Sequence, residues 1–193
     1  SLKHQFKPND KPAPEDPYGV SKHEAEQGLL KIAAETGMEV VIVRPPLVYG
    51  PGAKGNFATM TKLVQKGLPL PLGAVHNKRT LVSIYNLVDL IMTLIDHPAA
   101  ANQIFLAGDD EDVSTTQLLK GVAKAMGKPS RLIPVPPSIL RAGAKLVGKQ
   151  EMADRLLGNL QVDISKTKEL LGWTPPYSVE ESLRMSFAAD VGG

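Results

Sequence analysis

Residues 38–44, MEVVIVR, form a near-continuous β-branched run, the pattern of a strand buried on both faces of a parallel sheet. QIFLAG, from residue 103, is a second such run. Elsewhere the hydrophobic period lengthens from two to 3.6. In YNLVDLIMTLIDHP the apolar positions 87, 88, 91, 94 and 95 make a helical stripe that stops before Pro98. PYGVSKHEAEQGLLKIAAET predicts a helix over 17–36, with Asp16 as N-cap, Pro17 in the first helical position and Gly37 just past the end. PPLVYGPGAKG reads as a Gly/Pro-rich loop leading to a helix over about 56–66, and LPLPLG, RTLVSI and RLIPVP are short strand candidates. Ser114 with Gln117, and Ser178 with Glu181, are capping-box signatures for a helix reaching about Met126 and a last helix toward Phe187. PSILRAGAKLVG and ISKTKELLGW complete the helical segments, the second ending at Gly172. Strands alternating with helices predict an α/β architecture with parallel pairing in the first half. Two buried strands are few for a doubly wound sheet, so either the sheet is small or most of it is encoded upstream of Ser1.

Bulk composition narrows the function classes. With 193 residues, 42% hydrophobic and 22% charged, the chain can bury a sizeable core and is ordinary for a water-soluble protein. A net charge of +2 with no evident basic block predicts neither a nucleic-acid partner nor a membrane surface. No apolar run approaches the roughly 20 residues needed to cross a bilayer. Absence of cysteine excludes disulfides and thiolate metal sites, which points to a reducing, cytoplasmic setting. The four histidines (4, 23, 76 and 97) lack metal-ligand spacing. The run Asp109–Asp112 lacks the glycine and distal glutamate of a calcium loop and reads as a solvated loop before Ser114, so no metal is expected.

Candidate chemistry lies at the start of the first helix. Tyr18 and Lys22 are four apart, on one helical face, so the phenol and the ammonium can meet. An ammonium beside a phenol favours the phenolate, which would let Tyr18 exchange protons near neutral pH. Spacing alone does not decide the matter; four motifs in order do. PYGVSKHEAE, VVIVRPPLVYGPG, RTLVSIYNLVDLI and DISKTKELLGWTPPYSVEESL together resemble the extended short-chain dehydrogenase/reductases that act on nucleotide sugars, the UDP-glucose 4-epimerase-like and 4-keto reductase group. The resemblance covers nearly the whole chain but only the C-terminal part of the family's usual length.

That resemblance implies an NAD(P)-binding Rossmann-type fold, of which 1–108 would be the C-terminal remainder, with a substrate-side insertion at about 46–82. Residues 109–193 would form the substrate-binding region. It implies that Tyr18 is the acid/base and that Lys22 holds the nicotinamide ribose. Pro45, Leu47 and Val48 would line the nicotinamide, mainly through backbone. Asn56, Arg79 and Arg155 would serve the nucleotide diphosphate of a UDP-sugar, where a helix N-terminus and guanidinium forks suit phosphate oxygens. Beside these stand plainer readings: Asn56 as an N-cap, Arg79 as an exposed strand opener, Tyr49 as packing, Arg44 as an ion-pair partner, Trp173 as core. Relatives' habits imply a homodimer through helix 17–36.

The departures are informative too. The glycine-rich phosphate turn is absent, as are the residue that selects NAD or NADP and the catalytic Ser or Thr ahead of the tyrosine. Leu47 stands where epimerases and dehydratases often have Asn. The expectation is the C-terminal part of a UDP-hexose or UDP-N-acetylhexosamine 4-epimerase using NAD or NADP. Residues 1–193 alone would then be unable to hold a dinucleotide or turn over substrate. A 4-keto-sugar reductase, or a non-catalytic nucleotide-sugar-binding domain, are the alternatives.

Overall fold

The computed structural model describes residues 5–8, 10 and 17–188, so the expected N-cap Asp16 lies outside the described residues. The chain forms an α/β fold built on a Rossmann-like parallel core. Helix α1 (Pro17–Thr36) ends as expected at Gly37, which takes a positive φ and donates its N–H to the Ala33 carbonyl. The run from 38 to 44 yields strand β1 only at Ile42–Arg44. Before it the chain is anchored differently, the Val40 N–H donating to the Asn102 side chain. β1 pairs in parallel with β4 (Ile104–Leu106), Ile42 opposite Ile104, which joins the two buried runs seen in the sequence. The far edge of β4 is closed by α7 (Ser165–Leu171): Lys166 Nζ donates to the Ile104 carbonyl and Thr167 Oγ1 to the Leu106 carbonyl. The far edge of β1 pairs with no strand among the described residues.

The expected loop after Arg44 contains a strand instead. β2 (Leu47–Tyr49) pairs in parallel with β3 (Arg79–Ser83), whose other edge takes the short antiparallel β5 (Asp112–Val113). Pro45, Pro46 and Gly50 frame so short a segment that only its distant partner reveals it. Gly50 then turns the chain at φ 142°, and a Cβ there would lie 2.5 Å from Ile84 Cγ2. LPLPLG and RLIPVP reduce to one bridge, Leu70 with Leu132, because their prolines cannot donate to a ladder.

Helices complete the layers: α2 (Asn56–Gln65), α3 (Ile84–Asp96), α4 (Thr115–Ala125), α5 (Pro137–Leu146), α6 (Gln150–Leu157) and α8 (Val179–Phe187). Both capping boxes form, Ser114 with Gln117 and Ser178 with Glu181, and Gly172 ends α7 in the left-handed conformation. α6 was not foreseen; it is short, and its core face rests on just Ala153 and Leu157. One core joins β2 and β3 to α2, α4 and α8 through Tyr49, Phe57, Leu81, Leu119 and Phe187. A second, around Leu90, Phe105 and Trp173, joins α3, β4 and α7. Trp173 is core, as the plainer reading had it, with its indole N–H on Asp89. A small third cluster seats α5 and α6 by Leu140, Ala144 and Leu157.

Candidate active site

Helical spacing brings Tyr18 and Lys22 together: the Lys22 ammonium lies 5.5 Å from the Tyr18 ring centroid, within cation–π range. Tyr18 is 71% exposed, so its hydroxyl opens to solvent from the first turn of α1. What locates this turn is an ion pair further along. Arg44, the last residue of β1, grips Glu26 of α1 with two nitrogens, Nη2 to Oε2 at 2.6 Å and Nε to Oε1 at 3.0 Å. Its Nη1 reaches the Pro8 carbonyl at 3.3 Å. Arg44 is therefore the structural ion-pair partner its place at a strand end suggested. The clamp sets the N-terminal half of α1 beside the carboxyl end of β1, the end at which parallel α/β sheets bind ligands.

Pro45, Leu47 and Val48 continue from that carboxyl end. Leu47 packs on the β2–β3 core and Val48 on the β4 core, leaving their backbone as the group they can offer a ligand. Leu47 pairs with Leu81, and two residues earlier on β3 Arg79 meets Leu160 in a parallel bridge, the Thr80 N–H donating to the Leu160 carbonyl. Arg79 is half-buried rather than an exposed strand opener, and burial pulls its guanidinium below the ordinary arginine value. Its Nη1 donates to the main-chain carbonyl of Arg155, bringing two candidate arginines together across 76 positions of sequence. Asn56 stands apart. It is the first residue of α2, exposed, and Gly55 occupies the N-cap position, so the capping role suggested for Asn56 does not hold.

A buried polar network beside this segment was not legible in the sequence. Asp109, expected in a solvated loop, is 5% exposed. Its Oδ1 accepts from the Ser83 N–H at 2.9 Å and the Asn86 amide at 2.7 Å, and its Oδ2 from the Tyr49 hydroxyl at 2.7 Å. Asn86 also exchanges two hydrogen bonds with the backbone of Tyr177. Burial pushes the Asp109 carboxyl above the ordinary aspartate value although three donors oppose it. Burial, and then the Asp109 charge, push the Tyr49 phenol up strongly, so Tyr49 is a packed structural donor and not a proton shuttle. Two more members of the acidic run are engaged as well: Asp110 pairs with Lys168, and Asp112 accepts from Thr80. Among the described residues no cluster of three or more His, Cys, Asp or Glu could hold a metal ion.

The family model described as the NAD dependent epimerase/dehydratase family matches residues 3–108. The chain belongs to this family. Among its relatives, a Vibrio cholerae protein named UDP-glucose 4-epimerase is 54% identical over 95% of the chain and 56% of its own length. A crystal structure of UDP-glucose 4-epimerase with UDP-glucose from Thermotoga maritima superposes with a TM-score of 0.73 at 24% identity, over 99% of this chain and 60% of that one. The Thermus thermophilus UDP-glucose 4-epimerase complex with NAD gives 0.73 at 23% identity, over 100% and 60%. At those identities the two structures establish the fold alone. The chain spans little more than half the length of these relatives.

Proposed function

We propose that this chain is the substrate-side part of an NAD(P)-dependent UDP-hexose or UDP-N-acetylhexosamine 4-epimerase. The observation that carries the reading is the Lys22 ammonium over the Tyr18 ring, held by the Arg44–Glu26 clamp at the carboxyl end of β1 in a chain of this family. Tyr18 would exchange a proton between its phenol oxygen and the sugar hydroxyl. Lys22 would hydrogen-bond the nicotinamide ribose. The nicotinamide, when bound, would supply the hydride acceptor and donor. The residues present fit its ring and ribose end: an open phenol–lysine pair and a backbone edge at Pro45, Leu47 and Val48.

Arg79 and Arg155 would face the diphosphate, with Asn56 at the nucleotide end. A division into 1–108 and 109–193, a UDP-sugar as substrate, a homodimer through α1 and a cytoplasmic location belong to the same reading. α1 supports the dimer by leaving Val20, Leu29 and Ile32 exposed. Which of NAD and NADP is used depends on a residue type these motifs do not include.

In a protein that contains this chain, Tyr18→Phe should abolish interconversion of UDP-glucose and UDP-galactose, or of their N-acetyl forms, while fold and dinucleotide binding persist. Lys22→Met should weaken dinucleotide binding as well. Turnover at the wild-type rate by the Tyr18→Phe protein would dismiss the assignment.

A further inference from the structure

We propose that α5 and the turn that follows it dock onto an anionic lipid surface. The whole-chain charge of +2 conceals a strong asymmetry: residues 113–150 contain seven Lys and Arg and no Asp or Glu. Some of these cations are engaged, Lys124 with Glu180 and Lys128 with the Gln65 carbonyl. On α5 and at its tip the situation differs. The Lys145 and Lys149 side chains have no hydrogen bond or ion pair among the described residues, and Arg141 meets Asp154 only at 3.9 Å with both side chains half exposed.

The same helix turns its apolar side outward. α5 has no buried residue; Leu140 and Ala144 seat it on the fold, on one side. At 100° per residue Ile139, Ala142, Gly143 and Leu146 fall on an outer stripe with Arg141 and Lys145 along its flank, and Lys149 follows in the turn beyond the helix end. Leu146 is 88% exposed and Val147 67%, at the turn where Gly148 takes a positive φ and the chain reverses into α6. An apolar stripe edged by cations is the pattern of a helix lying in a membrane interface, its leucines in the acyl boundary and its lysines on anionic headgroups. Charge complementarity selects this occupant. A second copy would bring the same cations face to face. A groove on a partner protein would need the helix free on most of its circumference, whereas its inner side is already seated.

The test is cosedimentation of residues 1–193 with vesicles of equal parts phosphatidylglycerol and phosphatidylcholine, beside vesicles of phosphatidylcholine alone. Binding to the anionic vesicles, weakening as salt is raised, is expected. Lys145→Gln and Lys149→Gln should each lower partitioning roughly five-fold, and Leu146→Gln combined with Val147→Gln by roughly ten-fold or more. These side chains are exposed, so circular dichroism should report an unchanged fold. Absence of binding to anionic vesicles at low salt overturns the proposal. So do equal binding by all variants, equal binding to neutral vesicles, and a solution dimer that the Leu146→Gln, Val147→Gln protein loses.

Discussion

At the scale of single residues, Asp109 is the position where sequence and environment disagree most. Its neighbours Asp110, Glu111 and Asp112 advertise a solvated run, yet its carboxyl ties Ser83 and Asn86 at the start of α3 to Tyr49 at the end of β2. Because burial raises its folded-state pKa, the folded protein holds the Asp109 proton more tightly than the unfolded chain does. This group's contribution to stability is therefore present below the unfolded value of about 4 and is lost as pH rises through its elevated folded value. Glu111, the nearby like charge, adds to the elevation. Asp109→Asn keeps an acceptor for Ser83 and Asn86 and can donate to the Tyr49 oxygen. It should cost less than about 1.5 kcal/mol at pH 7 and flatten that part of the pH–stability curve, as urea unfolding at stepped pH will show. Asp109→Ala strands three buried donors and should cost about 3–5 kcal/mol at pH 7. Equal losses for the two variants would argue against a hydrogen-bonded role.

At the scale of elements, legibility followed sequence distance. Both capping boxes and the Gly172 stop were readable because each is settled within three or four residues. β2 was not, since Leu47–Tyr49 looks like loop until Leu81–Ser83, 34 residues on, supplies its partner. The N-cap of α3, Ser83, was hidden at the end of a β-branched run. The basic flank of α5 was obscured by counting charge over the whole chain. Tyr18 and Lys22 were found through helical spacing and motif order, but the clamp that places their helix, Arg44 with Glu26, joins residues 18 apart and could only be guessed at. α1 buries no residue, so this half-buried pair is its principal polar tie to the sheet. Glu26→Gln should destabilise the docking of α1 by about 1–3 kcal/mol. Hydrogen exchange should accelerate across α1 while the β2–β3 core stays protected. Unchanged α1 protection would show that apolar contacts alone hold the helix.

At the scale of the whole molecule, the two cores are unequally enclosed. The β2–β3–β5 sheet is covered by α2, α4 and α8, whereas among the described residues the β1–β4 pair is a two-stranded parallel sheet with one guarded edge. Lys166 and Thr167 reach over to occupy the carbonyls of β4. Nothing comparable crosses β1 among the described residues. Beside it Val41 lies open and Lys or Pro is missing from residues 38–44, the residue types that natural edges use to deter strangers. Backbone donors and acceptors along Val43 are thus free to recruit a strand from another copy, and growth by strand addition feeds on itself. Concentrated solutions of residues 1–193 should accordingly turn turbid after a lag that shortens as protein is added. Val41→Lys, a single charge set beside that edge, should lengthen the lag several-fold while leaving the midpoint of thermal unfolding nearly unmoved.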